Sequence, residues 1–497
     1  MHTFVAVVPE FSPPSRHTMT RYLATYFSGF HRHLPFFHIP TFSPIQCLVE
    51  LLLVMAAIGA QSAFDNDNAV MFFRTSHAIV MGRLRRRKDE LRRKTIAGAH
   101  CEPRTLDVRC LEHCSSIRDS VSNADQFDPL PAAQTLLLLM AIATWGNSNA
   151  IYNEAFGLQN TLTKFVREEK LLERQTEIPN DITWHEWIDI EGFQRTIAII
   201  YCFFVFHTIV YDILPPILNS ELNIHLPSRE KDWDAPSEKD WCRAREEPKV
   251  EQPFQSSLSS LFTKRSNEGT ESPKGFSSLG GYTLILAMIQ HIYFLRETRK
   301  YKPRSEQNIS PTDVAEVEQA LKNWQSAWYS DPESSLNPGS PQGPIPFNST
   351  ALLRMAYPRA VLYSAHALSI PVKIGVNIVA RNQAFTWSLQ HALCALECAF
   401  VLSKWLVAIH RRPPSVLLDE DESRLLAYIV DMVVEADPGF RLTNNIGATP
   451  HLPNLCARVI KIWAKLLSGE AVWDVVRMIG KALNAYSQIL ERQAAID

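Results

Sequence analysis

Residues 22–61, YLATYFSGFHRHLPFFHIPTFSPIQCLVELLLVMAAIGAQ, decide the fold class. Tyr22, Tyr26, Phe27 and Phe30 fall on one helical face, and a proline-bracketed extended segment, LPFFHIPTF, follows. Ser43 stands where a helix cap would, Pro44 suits a first turn, and Gln46 occupies the acceptor position of a capping box. These signals predict a helix over residues 45–60. Its sequence is nearly all apolar, so it must be buried on most of its surface. A core element therefore stands in the first tenth of the chain.

The same alternation of apolar helix and proline-rich breaker continues to the C-terminus. A long helix is expected over 68–94, with Phe73, His77, Leu84 and Leu91 near one face. Others are expected over 132–145 and 152–172. A second capping box, Thr183-Trp184-His185-Glu186, opens a helix that runs to residue 214, where Pro215-Pro216 stops it. Residues 95–130 and 243–277 read as polar loops, each holding one short helix, in the second around 254–262. Further helices are expected at 278–300, 314–328, 351–369, 384–410, 419–435, 455–467 and 472–492. No stretch alternates with period two over any length, and no internal repeat is present. The expected fold is all-α, a large multi-helix domain of packed buried and amphipathic helices with two long irregular loops. Its parts are a flexible tail (1–17), a first helical half (18–242), a polar linker (243–277) and a second helical half of the same region (278–497).

Composition bounds the function. Of 497 residues, 46% are hydrophobic and 21% charged, which are globular values. The net charge of −2 argues against DNA contact by this chain alone, because a chain that grips duplex unaided carries a basic surplus. Nine cysteines, an odd number with several inside apolar runs, read as buried free thiols in a reducing compartment. The N-terminus lacks the basic and apolar regions of a signal peptide. Two apolar runs, 45–60 and 132–145, are too short to cross a bilayer. A third, 197–214, is interrupted by His207 and Asp212 and has Gln194 and Arg195 at its start. Core helices, and no membrane, are the expectation.

No motif for chemistry survives inspection of its spacing. Cys394 and Cys398 stand one helical turn apart in an apolar context, with His410 but no second histidine to close a zinc tetrahedron. Cys101, Cys110, His113 and Cys114 match no standard zinc spacing. His31, His33 and His38 surround the Leu34-Pro35 turn with no Glu or Cys nearby, which favours packing and backbone hydrogen bonds. Asp419-Glu420-Asp421-Glu422 follows Pro413-Pro414 and suits the negative first turn of a helix. The densest charge cluster, Arg83, Arg85, Arg86, Arg87, Lys88, Arg92, Arg93 and Lys94, has two readings of equal weight. It is a solvated helix end with Asp89 and Glu90 pairing locally, or a nuclear-localisation patch. No catalytic, cofactor-binding or metal-ligating residue is assigned.

Two blocks together carry a resemblance. HLPFFHIPTF before ELLLVMAAIGAQ, and TWHEWIDIEGFQRTIAIIYCFFVFHTIVYDILPPILNSELNIHLPSREKDWDAPSEKDW, resemble the fungal-specific transcription factor domain, or middle homology region. The positions that carry it are Pro35, His38, Pro40 and Phe42 in the first block. In the second they are Trp184, Trp187, Glu191, Arg195, Glu221, Leu226, Pro227, Trp233 and Trp241. Later segments, among them SSLGGYTLILAMIQHI, GPIPFNSTALLRMAYPRA and RVIKIWAKLLSGEAVWDVVRMIGKALNAY, are similar to the branch that carries two-Cys/two-His zinc fingers N-terminally. The resemblance spans about residues 21–491.

It implies a nuclear regulator of transcription by RNA polymerase II. Its implied partners are the transcription machinery or a paralogous regulator, with a small-molecule effector and a homodimer as further candidates. No finger precedes Arg21, so the resemblance lends this chain no zinc ligand and no DNA-contacting residue. The expectation is a regulatory module without its own reading head, with zinc belonging only to a missing finger region. Two alternatives stand beside it. One is a magnesium-dependent terpene-cyclase-like enzyme resting on Asp419 and Asp421. The other is a finger-less scaffold that forms mixed dimers with full-length regulators.

Overall fold

In the computed structural model every regular element among the described residues is a helix, with an isolated bridge between His225 and Pro253 beside them. The described residues are 11–99, 128–146, 149–173, 179, 181–245, 252–263, 275–302, 309–337, 340, 343–356, 360–386, 389–413, 418–437, 452–469 and 471–494. The fold is all-α. The chain divides into two compact units. One comprises Met1–Tyr26, Ser43–Thr144 and Ser148–Glu169; the other comprises Phe27–Phe42, Trp145–Asn147 and Lys170–Asp497.

In the first unit, α1 (Arg16–Ser28) crosses α2 (Val49–Ser62) at Gly59. A Cβ at Gly59 would lie 2.0 Å from the Tyr22 carbonyl oxygen, so only glycine admits so close a crossing. Tyr22 and Tyr26 are fully buried. The Tyr22 hydroxyl donates to Asp65 Oδ2 at 2.5 Å, and its ring meets Phe72 edge-on at 6.0 Å. Against α2 packs α3 (Asn66–Ala99), where the Ser76 hydroxyl donates to the Glu50 carbonyl at 2.7 Å. Arg83 pairs with the buried Glu50 carboxylate at 2.7 Å. One turn later, Arg87 forks onto Glu169 at 2.9 and 2.7 Å, just past α5 (Ala155–Glu168). The apolar α4 (Leu130–Trp145) is buried along nearly its whole length.

The start of α2 differs from expectation. Ser43 to Gln46 form a β-turn, closed by the Gln46 N–H donating to the Ser43 carbonyl at 3.1 Å, and the helix begins at Val49 without a side-chain cap. Ser followed by Pro suits both a cap and a turn, and here the turn wins, with Pro44 at its second position. Ile45, expected on the buried face, is 95% exposed as a result. At the other end, Asp65 N–H donates to the Ala60 carbonyl at 2.9 Å while Phe64 sits at φ +58°, a left-handed cap normally given to glycine.

The second unit is built on α6 (Trp184–Tyr211), where Thr183 and Glu186 form the expected capping box. Asp212, at φ +48°, ends it one turn short of residue 214, because a short polar side chain tolerates the left-handed conformation. Against α6 lies α7 (Ser278–Arg299), capped by the Ser277 hydroxyl accepting from Gly280 N–H at 3.0 Å. α8 (Pro311–Ser330) packs on α7, with the Trp324 indole donating to the Gly281 carbonyl at 2.8 Å. The short helix expected in the 243–277 loop is present as Phe254–Leu261.

Seven further helices follow α8 among the described residues: α9 (Ile345–Ala356), α10 (Ala360–Ile374), α11 (Val376–Thr386), α12 (Leu389–His410), α13 (Glu420–Ala436), α14 (Leu452–Leu466) and α15 (Asp474–Ala494). The single helix expected over 351–369 is two, and α11 had no counterpart in the sequence reading. Gly375, at φ +106°, supplies the turn between α10 and α11 that an L side chain would resist. α12 packs on α10 and α14, and α14 packs on α15, where a Cβ at Gly480 would meet the Leu467 carbonyl oxygen at 2.5 Å.

Among the described residues, three helices are long and apolar enough to cross a membrane by length and composition: Trp184–Tyr211, Ser278–Arg299 and His391–His410. Their apolar stretches are 89, 67 and 56% buried inside the protein.

Candidate functional site

Arg195 is the candidate centre, because it is a fully buried charge inside a long apolar helix. An isolated buried charge is strongly unfavourable, so its partners must be close and well aimed. They are. Its Nε donates to Glu191 Oε1 at 2.7 Å, one turn back on α6. Its Nη1 reaches both Glu230 oxygens, at 3.0 and 3.1 Å, and the Pro35 carbonyl at 3.3 Å. Its Nη2 donates to the Ser228 carbonyl at 2.7 Å. Burial alone would lower its pKa, but Glu230 and Glu191 more than offset that and raise it, so the guanidinium stays charged.

One arginine thus ties three stretches of chain, around residues 35, 195 and 230. Glu191 adds a second tie by accepting from the Ser228 N–H at 2.8 Å. The network extends to a fourth stretch. Arg229 pairs with Asp331 at 3.3 Å, and Glu333 accepts from Ser278 N–H at 3.2 Å and Lys231 N–H at 3.4 Å. Burial pushes the Glu230 carboxyl up to about 7 against the pull of Arg195, with Asp234 and Glu333 adding to the rise.

An aromatic wall encloses the arginine. Trp184, Trp187, Trp233 and Trp241 form one buried cluster with Ala235. The Arg195 guanidinium lies 4.7 Å over the Trp233 ring, and Arg245 lies 4.8 Å over Trp241. The His38 ring meets Trp184 and Trp233 edge-on at 5.8 and 5.1 Å, and its Nδ1 bonds the Thr41 hydroxyl at 2.7 Å. Phe42 packs against Phe27 and Phe37, and Pro40 sits in the adjoining 3-10 turn.

The remaining signature positions close the loop that carries Glu230. Glu221 accepts from the Leu218 N–H at 2.8 Å, and Leu226 N–H donates to the Gln252 carbonyl at 2.8 Å. The Pro227 carbonyl accepts from the Ser277 hydroxyl that caps α7. The structure therefore brings Pro35, His38, Trp184, Trp187, Glu191, Arg195, Trp233 and Trp241 together. Glu221, Leu226 and Pro227 shape the loop beside them. Sequence reasoning missed Glu230, Asp331 and Glu333. Glu230 stood unnoticed inside the quoted block, and the other two lay in a breaker-rich loop whose composition gave no sign of burial.

Elsewhere the candidates for chemistry have structural partners. Asp419 caps α13, accepting from Glu422 N–H at 2.7 Å, while Glu422 pairs with Arg412. Glu420 pairs with Arg424. The run is a helix start, as its charge pattern predicts, and three of its four carboxylates pair with arginines. The Nε2 of His31 accepts from the Phe37 N–H at 3.1 Å, and burial drives this imidazole down to about 3. His33 Nδ1 faces the Asn348 amide at 3.4 Å, and burial lowers it to about 4. Burial raises the Cys398 thiol to about 11 and Cys394 still further, which holds both protonated in the core. Cys101, Cys110, His113 and Cys114 lie outside the described residues. Among the described residues, no three His, Cys, Asp or Glu side chains group to hold a metal ion.

The basic cluster on α3 is divided. Arg83 and Arg87 turn inward to Glu50 and Glu169, whereas Arg85, Arg86, Lys88, Arg92 and Arg93 are exposed. Asp89 and Glu90 are exposed among them, and the Lys94 side chain lies outside the described residues.

Two family models match the chain in succession. The fungal specific transcription factor domain matches residues 23–326, and the fungal transcription factor C-terminal domain matches residues 320–485. No zinc-finger family is detected in this chain. No curated protein matches it, and no solved structure does.

Proposed function

Because this chain belongs to the fungal specific transcription factor domain family and is a fungal transcription regulator, we propose that it is the regulatory module of a nuclear factor acting on RNA polymerase II. The observation that carries this reading is the continuous coverage of residues 23–485 by the two family domains in order. The module works through protein or small-effector contacts and not through a reading head or a reaction of its own. The polar lock at Arg195 supports the responsive part of the reading. It joins four stretches of chain through ion pairs and hydrogen bonds centred on a fully buried guanidinium, so a ligand that moves one stretch acts on the others through the same charge.

Tethering tests the reading directly. Fused to an unrelated DNA-binding domain upstream of a reporter, the chain is expected to change transcription at least threefold relative to the DNA-binding domain alone. No change in either direction would overturn the regulatory reading. The purified chain by itself is expected to give no sequence-selective duplex shift, and a nanomolar, sequence-selective shift would overturn the absence of a reading head.

A further inference from the structure

We propose that the outward face of α3, carrying Arg85, Arg86, Lys88, Arg92 and Arg93, is a docking surface for an acidic protein of the nuclear import machinery, read as a folded helix. The inference rests on the nuclear reading given above and adds the surface, the residues and the form in which they are recognised.

The structure separates the eight basic positions by what holds them. Arg83 is drawn in by Glu50, a carboxylate whose side chain is only 1% exposed, and Arg87 is forked on Glu169. Both are needed where they are, since removing Arg83 would leave a buried carboxylate without its cation. The other five point to solvent. At 100° per residue, Arg85, Lys88 and Arg92 form one row and Arg86 with Arg93 the row beside it. Asp89 lies between the rows, four residues from both Arg85 and Arg93, and Glu90 lies four residues from Arg86.

Two features select the partner. A chain of net charge −2 concentrates five exposed cations on two turns of one helix, and an acidic protein surface is their electrostatic complement. Asp89 and Glu90 stand inside the stripe and would repel a regular lattice of phosphates, whereas a protein surface of mixed charge can pair with them. A third feature selects the form. The inward arginines pin α3 at two successive turns, the same turns that carry the start of the stripe. Drawing residues 83–88 into an extended groove would pull Arg83 from Glu50 and Arg87 from Glu169. The surface available to a carrier is therefore the helical one.

The experiment uses the full chain fused to a fluorescent protein in fungal cells. With Arg85, Arg86, Lys88, Arg92 and Arg93 all replaced by alanine, the nuclear-to-cytoplasmic ratio is expected to fall at least fivefold while the melting temperature stays unchanged. Arg87→Ala is expected to lower the melting temperature and leave the ratio within twofold. Asp89→Pro keeps all five cations but breaks the helix, and is expected to lower the ratio as the five-fold alanine variant does. A five-alanine variant that remains as nuclear as the parent overturns the docking surface. An unaffected Asp89→Pro variant overturns recognition as a helix. A parent fusion excluded from the nucleus overturns the nuclear reading beneath both. Salt-sensitive binding of the parent to a 30-base-pair duplex that the five-alanine variant loses would reassign the stripe to phosphate and overturn the protein partner.

Discussion

Replacing Arg195 by methionine leaves Glu191 and Glu230 buried without their shared cation, and that asymmetry sets the size of the effect. Removing one partner of a buried ion pair costs about 3–5 kcal/mol, far more than the pair contributes against an apolar substitute. Arg195→Met is expected to lose stability in that range by urea titration, and a loss below about 1 kcal/mol would show that the network is not a lock. Phe64 offers the opposite sign. It holds φ +58° with its side chain 55% exposed, so the left-handed backbone is strained and little packing offsets it. Phe64→Gly is expected to raise stability by up to about 1 kcal/mol. A clear loss in the same titration would mean the exposed ring has a partner. Arg195 was visible in the sequence as a charge in an apolar run, and so was Glu191 one turn away. Glu230 was not, because nothing in SREKDW distinguishes a buried carboxylate from a solvated one.

Helices were legible where apolar periodicity and a cap agreed, as at Thr183 and Asp419. They were misplaced where one short signal served two purposes. Ser43-Pro44 fits a helix start as well as a turn, and the choice belongs to the packing of Val49 onward, which no local rule contains. The split of 351–369 into α9 and α10 was missed although the sequence carries a breaker, Pro358, between the two apolar runs. Helix crossings were invisible for a different reason. Gly59 looked like one small residue in an apolar run, yet its missing Cβ is what lets α1 approach within contact of its backbone. Gly59→Ala is expected to destabilise by about 1–3 kcal/mol, since the obstructing atom is a backbone carbonyl that cannot swing aside. A neutral result in thermal melting would show that α1 can lift from α2 at no cost. Asp419→Ala, which removes one cap at an exposed helix start, is expected to cost only about 1 kcal/mol.

The whole molecule should respond to pH from two directions. Burial holds His31 and His391 down to about 3, and His33, His38 and His207 down to about 4, from an ordinary 6.5. The unfolded chain therefore takes up protons first. The stability these histidines contribute is complete above pH 6.5 and is lost progressively as pH falls towards their folded values. Glu230 runs the other way. Raised to about 7 from 4.5, it favours the folded state at low pH, and that contribution is lost as pH rises through 7. Melting temperatures are expected to fall steadily below pH 6.5, and Glu230→Gln is expected to steepen the fall between pH 7 and 4.5, where the proton Glu230 gains on folding partly offsets it. Melting that improves from pH 6.5 to 4.5 would contradict the buried neutral histidines. The all-α class and the polar character of residues 243–277 could be read from composition and period. The division into two units could not, because it depends on which distant segments meet.

That division assigns Phe27–Phe42 to the second unit although the flanking residues belong to the first. The Pro35 carbonyl waits for Arg195, 160 residues further along the chain. At 5–20 residues per second, the ribosome takes about 8–32 s to make that stretch. Throughout that interval LPFFHIP has left the tunnel with its phenylalanines and no core to enter. The segment thus emerges on the nascent protein well before the partners it packs against in the second unit have been made. A fragment started at Ser43 would never supply it.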